Sequence, residues 1–116
     1  MIVGVGTDLC SISRLSEALS RTPALRERLF HSSEQALPNH SLAARFAAKE
    51  AIAKALGDPR LLNWNEIALS KDANGKPEFE FFGATKERLV ALGYRYLVSI
   101  SHEQELASAF VVVEAS

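Results

Sequence analysis

The sequence has little of what would place it outside the ordinary cytoplasmic enzymes and binding modules. One cysteine, Cys10, in 116 residues excludes an internal disulfide and fits a reducing compartment. No apolar run is long enough for a bilayer; FVVVE at 110–114 falls far short. The first residues, MIVGVGTDL, carry no basic leader and no cleavage-like tripeptide, so they read as a buried strand and the expected location is the cytoplasm. No membrane partner is expected. Neither sign of charge dominates: the net charge is −1. Arg14, Arg21, Arg26 and Arg28, interrupted by Glu17 and Glu27, are too mild a cluster for a nucleic-acid footprint. They leave open one modest acidic partner or a solvated helical face. The sequence has no G-x-x-x-x-G-K-[ST], no G-x-G-x-x-G and no nucleophile elbow. The histidines at 31, 40 and 102 lack zinc-type spacing.

What remains is a composition of 47% hydrophobic and 23% charged residues, ordinary for one small domain covering residues 1–116. Ile2, Val3 and Val5 predict a strand ending near Thr7-Asp8, and its glycines at 4 and 6 mark close approach of another backbone. Ser11 or Ser13 caps a helix to about Ser20, and Pro23 opens another to about Phe30. HSSEQALPNH is a loop. Ser41 caps the strongest helix, 41–56, stopped by Gly57. On it Leu42, Phe46, Ala53 and Leu56 form the predicted core stripe, and Ala43, Ala47, Glu50 and Lys54 a second stripe beside it. Trp64–Ser70 reads as a strand, Asn74-Gly75 as a turn, 78–81 as a strand and 83–92 as a helix. Residues 94–101 and 106–114 form an antiparallel hairpin. The expected class is α+β: an antiparallel sheet packed on one long helix, with shorter helices.

Four residues could carry chemistry. Asp8 follows an apolar strand, where a side chain leaves the core for a cleft, although Asp is also a good N-cap. Glu50 and Lys54 stand at i and i+4, a spacing that also makes a simple surface pair. Alanines around them let a ligand or a second chain approach, and a carboxylate desolvated there calls for a cation. Oxygen donors suit Mg²⁺, with phosphate completing a two-carboxylate site. His102, just after YLVSIS, is a phosphate donor, a base, a ligand or a structural ring.

Taken together, GVGTDLCSISRL (4–15), RFAAKEAIAKALG (45–57), NGKP (74–77) and SISHEQELASAFVVVE (99–114) resemble the blocks of the holo-[acyl-carrier-protein] synthases, the small bacterial 4′-phosphopantetheinyl transferases, over nearly the whole chain. The resemblance implies that fold and transfer of the 4′-phosphopantetheine arm of coenzyme A to a serine of apo acyl carrier protein in fatty-acid biosynthesis, with release of adenosine 3′,5′-bisphosphate. It implies Mg²⁺ on Asp8 and Glu50, and a catalytic set of Asp8, Glu50, Lys54 and His102. Coenzyme A contacts are implied at Arg45, Lys49, Lys54, Lys76, Pro77, Ser101 and His102, and carrier docking at Arg14 and Arg21. A homotrimer with sites between subunits is implied, the alanine side of the helix leaving room for coenzyme A and a neighbouring subunit. The serine proton would pass to a metal-bound water, or to Glu50 through a water. Two departures stand out. GDPRL replaces a glycine-rich loop after the helix, with Arg60 the residue that would stand in for its amides. Cys10 replaces an aliphatic residue, as a packed thiol. A non-catalytic coenzyme A module and a Mg²⁺-dependent pyrophosphohydrolase are the rival readings.

Overall fold

The computed structural model describes residues 1–116. Strand β1 (Ile2–Ser11) leads directly into α1 (Ile12–Arg21), followed by α2 (Leu25–Leu29) and the long α3 (Asn39–Leu56). Two short 3-10 turns precede β2 (Ile67–Lys71), β3 (Pro77–Phe81), α4 (Gly83–Leu92), β4 (Arg95–Glu103) and β5 (Leu106–Glu114). All strand pairs are antiparallel, in two sheets: β1-β5-β4 and β2-β3. The α+β class with one long helix on an antiparallel sheet is therefore the observed one.

Helix α3 lies across β1 and β5. Alternation along β5 turns Ala107, Ala109, Val111 and Val113 inward, and they meet Leu42, Ala47, Ala48, Ala51 and Ile52 of α3 in one core. The helix comes unusually close to β1 because both surfaces are bare. A Cβ on Gly4 would reach 2.9 Å from the Ala55 carbonyl carbon, and one on Gly6 would reach 2.9 Å from Ala55 N, inside the ~3.5–4.0 Å of ordinary carbon contact. The strand glycines thus mark the close approach their pattern predicts.

That packing corrects one expectation. Ala43 and Ala47 are fully buried within the chain, so the alanine stripe serves helix-to-sheet contact and leaves no room there for a ligand or neighbour. Of the predicted core stripe only Leu42 is fully buried, while Phe46, Ala53 and Leu56 pack at its margin. The helix is covered on more than one side, and a single-stripe pattern understates that.

The local boundaries shift for identifiable reasons. β1 runs to Ser11 because its pairing with β5 continues to Leu106. Ser11 is the N-cap of α1, accepting from Arg14 N at 3.3 Å. Glu105, at the tip between β4 and β5, satisfies two more amides of that helix start: its backbone O accepts from Ile12 N at 2.9 Å and its carboxylate from Ser13 N at 2.7 Å. Helix α3 begins two residues before Ser41, after Pro38. Trp64–Glu66 forms a 3-10 turn, so the strand starts only at Ile67. Glu66 then caps α4 from a distance, accepting from Thr85 N at 3.0 Å, Thr85 Oγ1 at 2.9 Å and Asn63 Nδ2 at 2.8 Å.

Candidate active site

Asp8 and Lys54 meet. Lys54 Nζ donates to Asp8 Oδ1 and to the Thr7 carbonyl, each at 2.9 Å. Asp8 is thus no helix cap, a role taken by Ser11, and Lys54 reaches across to β1 instead of pairing with Glu50 one turn back. The Glu50 side chain forms no ion pair and no hydrogen bond. Both carboxylates act on Cys10, whose thiol is pushed above its ordinary range first by burial, then by the charges of Asp8 and Glu50. Thr7, Asp8, Leu9 and Lys54 line an open hollow of about 460 Å³.

This donor set fits a hard divalent cation. It offers carboxylate oxygens, no thiolate and no imidazole, and one acid that no other group engages. No cluster of three or more metal-ligating side chains occurs, so a cation held by these carboxylates would take its remaining ligands from water or phosphate.

His102 lies elsewhere in the single chain. It is on β4, opposite Ala107, with β5 between it and β1; at ~4.8 Å per strand step, β1 and β4 are about 10 Å apart. It is exposed, and its ring stands 5.4 Å from that of His40, in the first turn of α3. Glu50 is ten residues further along that helix, about 15 Å at 1.5 Å per residue. Ser101 Oγ contacts Ser108 Oγ at 2.8 Å. Ser101, His102 and Leu9 border a second hollow of about 480 Å³, so Leu9 is the rim shared with the first.

The other expected coenzyme A contacts divide. Lys76 and Pro77 follow the Asp72–Gly75 turn, in which Asp72 Oδ1 accepts from Asn74 N and Lys76 N, and they border a cleft of about 440 Å³ walled by Phe79, Phe81 and Tyr96. Arg45 is largely turned inward, its Nε 3.3 Å from Glu34 and its Nη1 donating to Ser41 O. Lys49 requires a correction: its side chain is wholly buried. Its three ammonium protons go to Glu34 Oε1 (2.8 Å), Leu29 O (2.8 Å) and Trp64 O (3.1 Å), so no donor remains for a phosphate. Burial lowers its pKa, against the opposing pull of Glu34. Breaking such a buried pair costs ~3–5 kcal/mol, so Lys49 is a lock between α3 and the loop after α2. Arg60, the expected substitute for the missing glycine loop, is folded back on Asp58 through bonds of 2.9 and 3.1 Å. Arg14 and Arg21 are exposed on α1, without ion-pair partners.

Sequence reasoning missed Glu34, Glu105 and His40. Glu34 sits in a loop that reads as solvent-exposed, yet it is 2% exposed and also accepts from Leu69 N; no local pattern announces such a partner.

The Asp8–Lys54 contact joins the first strand to the long helix beside an open hollow, one helical turn from Glu50. The family model described as the 4′-phosphopantetheinyl transferase superfamily matches residues 4–110, and the chain belongs to that family. It is 46% identical over 115 residues to the holo-[acyl-carrier-protein] synthase of Clavibacter sepedonicus, covering 98% of this chain and 97% of that one. Among solved structures, the holo-[acyl-carrier-protein] synthase of Neisseria meningitidis superposes with a TM-score of 0.91 at 36% identity, covering 99% of this chain and all of the other. The Helicobacter pylori enzyme in complex with coenzyme A gives 0.82 at 32% identity, covering 95% and 99%. No helix is long and apolar enough to cross a membrane.

Proposed function

We propose that residues 1–116 form one holo-[acyl-carrier-protein] synthase domain. It transfers 4′-phosphopantetheine from coenzyme A to a serine of apo acyl carrier protein, releases adenosine 3′,5′-bisphosphate, and works in the cytoplasm in fatty-acid biosynthesis. The observation that carries the reading is the contact of Lys54 with Asp8 across the strand-to-helix junction, one turn along the helix from partnerless Glu50, in a chain so similar to synthases along its full length.

In this reading Asp8 and Glu50 hold Mg²⁺. Held there, Mg²⁺ would supply Lewis-acid neutralisation of phosphate charge. The Lys54 ammonium offsets negative charge on the phosphoryl oxygens, and such groups work best when placed before the reaction begins. His102 and Ser101 bind phosphate, Lys76 and Pro77 border the coenzyme, and Arg45 presents its remaining edge to it. The serine proton passes to a water at the site, or through a water to Glu50, whose carboxylate has no internal partner. Arg14 and Arg21 face the acidic carrier protein.

The functional unit is a homotrimer with the sites between subunits. Two features support this. The face of the β1-β5-β4 sheet turned away from α3 is apolar and open: Val5, Leu9, Leu106 and Phe110 are 48–66% exposed. The separation of His102 from Asp8 within one chain also asks for a neighbour's residues to complete each site.

Asp8→Ala and Glu50→Ala, incubated with coenzyme A, Mg²⁺ and apo carrier protein, should give no mass gain on the carrier while keeping the wild-type fold by circular dichroism. Full transfer by either variant would reject the metal assignment.

A further inference from the structure

We propose that Lys54 is the resident counter-ion of the metal site, and that handing it from Asp8 to the pyrophosphate couples metal binding to coenzyme A binding. The inference rests on the Asp8–Glu50 reading above and adds a sequence of events to it. Helical spacing offers Lys54 the Glu50 carboxylate, with the acid N-terminal to the base, the better orientation for such a pair. The lysine instead crosses to β1, where Nζ holds Asp8 Oδ1 and the Thr7 carbonyl. Glu50 remains free.

A divalent ion joining the two acids therefore finds half of its protein ligation already engaged. It must displace an ammonium from Asp8 Oδ1 or share the carboxylate with it, against like-charge repulsion. The displacement needs no backbone change. Lys54 is 56% exposed at its side chain and rides on a flexible four-carbon stem near the end of α3, so Nζ can swing while Asp8, fixed in a paired strand, stays. What a displaced ammonium lacks is a new anion. The pyrophosphate of coenzyme A supplies one. Each ligand then lowers the cost of the other, and that coupling is reciprocal by linkage.

The test measures metal affinity directly, on the full chain, by electron paramagnetic resonance of free Mn²⁺ and by Mg²⁺ calorimetry, with and without coenzyme A. Without coenzyme A, Lys54→Gln should bind Mn²⁺ roughly threefold to fivefold more tightly than wild type, the scale of an exposed ion pair. The tightening caused by coenzyme A should shrink by at least that factor, and Lys54→Arg should keep the wild-type coupling. Asp8→Asn should lose Mn²⁺ binding. Unchanged or weaker Mn²⁺ affinity in Lys54→Gln, with Asp8→Asn inactive in binding, overturns the counter-ion role and leaves the metal reading standing. Wild-type Mn²⁺ affinity in Asp8→Asn overturns both.

Discussion

Gly6→Ala tests whether the site depends on backbone-to-backbone contact between β1 and α3. An added Cβ would lie 2.9 Å from Ala55 N and 3.0 Å from the Ala51 carbonyl carbon. The obstacle is helix backbone, which has no rotamer to yield, so strand and helix must part by about an ångström to restore normal contact. Overpacking costs ~1–3 kcal/mol, and a clash with backbone belongs at the upper end. Around 3 kcal/mol corresponds to a fall of roughly 12 °C in the unfolding midpoint for a domain of this size. The chemistry should suffer as well. Gly6 stands two residues before Asp8, and Ala51 and Ala55 directly follow Glu50 and Lys54, so parting the two elements moves one acid relative to the other. A misplacement of about 1 Å costs on the order of 100-fold in rate. Thermal unfolding at fixed protein concentration, which holds the assembly term constant, and mass gain of the carrier protein read the two effects. Gly93→Ala is the comparison: its φ is 69° and an added Cβ would touch nothing, so only the left-handed conformation is penalised, by ~1–2 kcal/mol, with transfer intact. If Gly6→Ala matched Gly93→Ala in both midpoint and activity, the close-approach reasoning would be wrong.

Glu66 and Phe110 give two further tests. Hydrogen bonds from Asn63 and then Thr85 pull the Glu66 carboxylate from 4.5 down to about 2. Its stabilisation is therefore complete above pH 4.5 and lost as pH falls from there toward 2; Glu66→Ala should cost about 1 kcal/mol at neutral pH and flatten that stretch of the acid-unfolding curve, whereas an unchanged curve would remove Glu66 as the cap of α4. Phe110→Glu places a charge on the open sheet face and should convert the proposed trimer to monomer by light scattering with helix content retained, while an unaltered trimer mass would remove that face from the interface.

The elements with a local signature were legible. Residues 106–114 combine alternation with β-branched side chains and pair as predicted, and Gly57 ends the long helix where a glycine should. Gly4 and Gly6 announced their backbone neighbour. The alanines of α3 were misread because a small side chain reports only that something comes close. It does not say whether that is a strand of the same chain or a second molecule. Trp64–Glu66 looked like strand because an aromatic near β-branched residues is the usual cue, but its neighbour Glu66 is held by the start of α4. Lys49 and Glu34, fifteen residues apart, carry no periodic signal at all. Of the candidate site, the meeting of the Asp8 and Lys54 motifs is observed, but which of the two acids holds the lysine depends on strand-to-helix geometry that spacing alone does not contain.

The structure puts its rigidity and its freedom in different places on the strand and helix that carry Asp8, Glu50 and Lys54. Asp8 is set in a paired strand, and Glu50 follows immediately after Lys49, whose ammonium is fixed by three buried acceptors. The backbones carrying the two acids are thus clamped, one by the sheet and the glycine contacts, the other by the Lys49–Glu34 lock. Lys54 alone is long, exposed and held by exchangeable bonds. Perturbing the clamp and perturbing the lysine should therefore separate experimentally. Gly6→Ala should lower turnover and stability together, because it displaces the acids. Lys54→Gln should leave stability near wild type, because an exposed pair contributes at most ~1 kcal/mol, and should instead change how strongly metal and coenzyme A assist each other. A Lys54→Gln variant that lost stability as Gly6→Ala does would mean that the lysine belongs to the scaffold, and the division between fixed acids and a movable cation would fail.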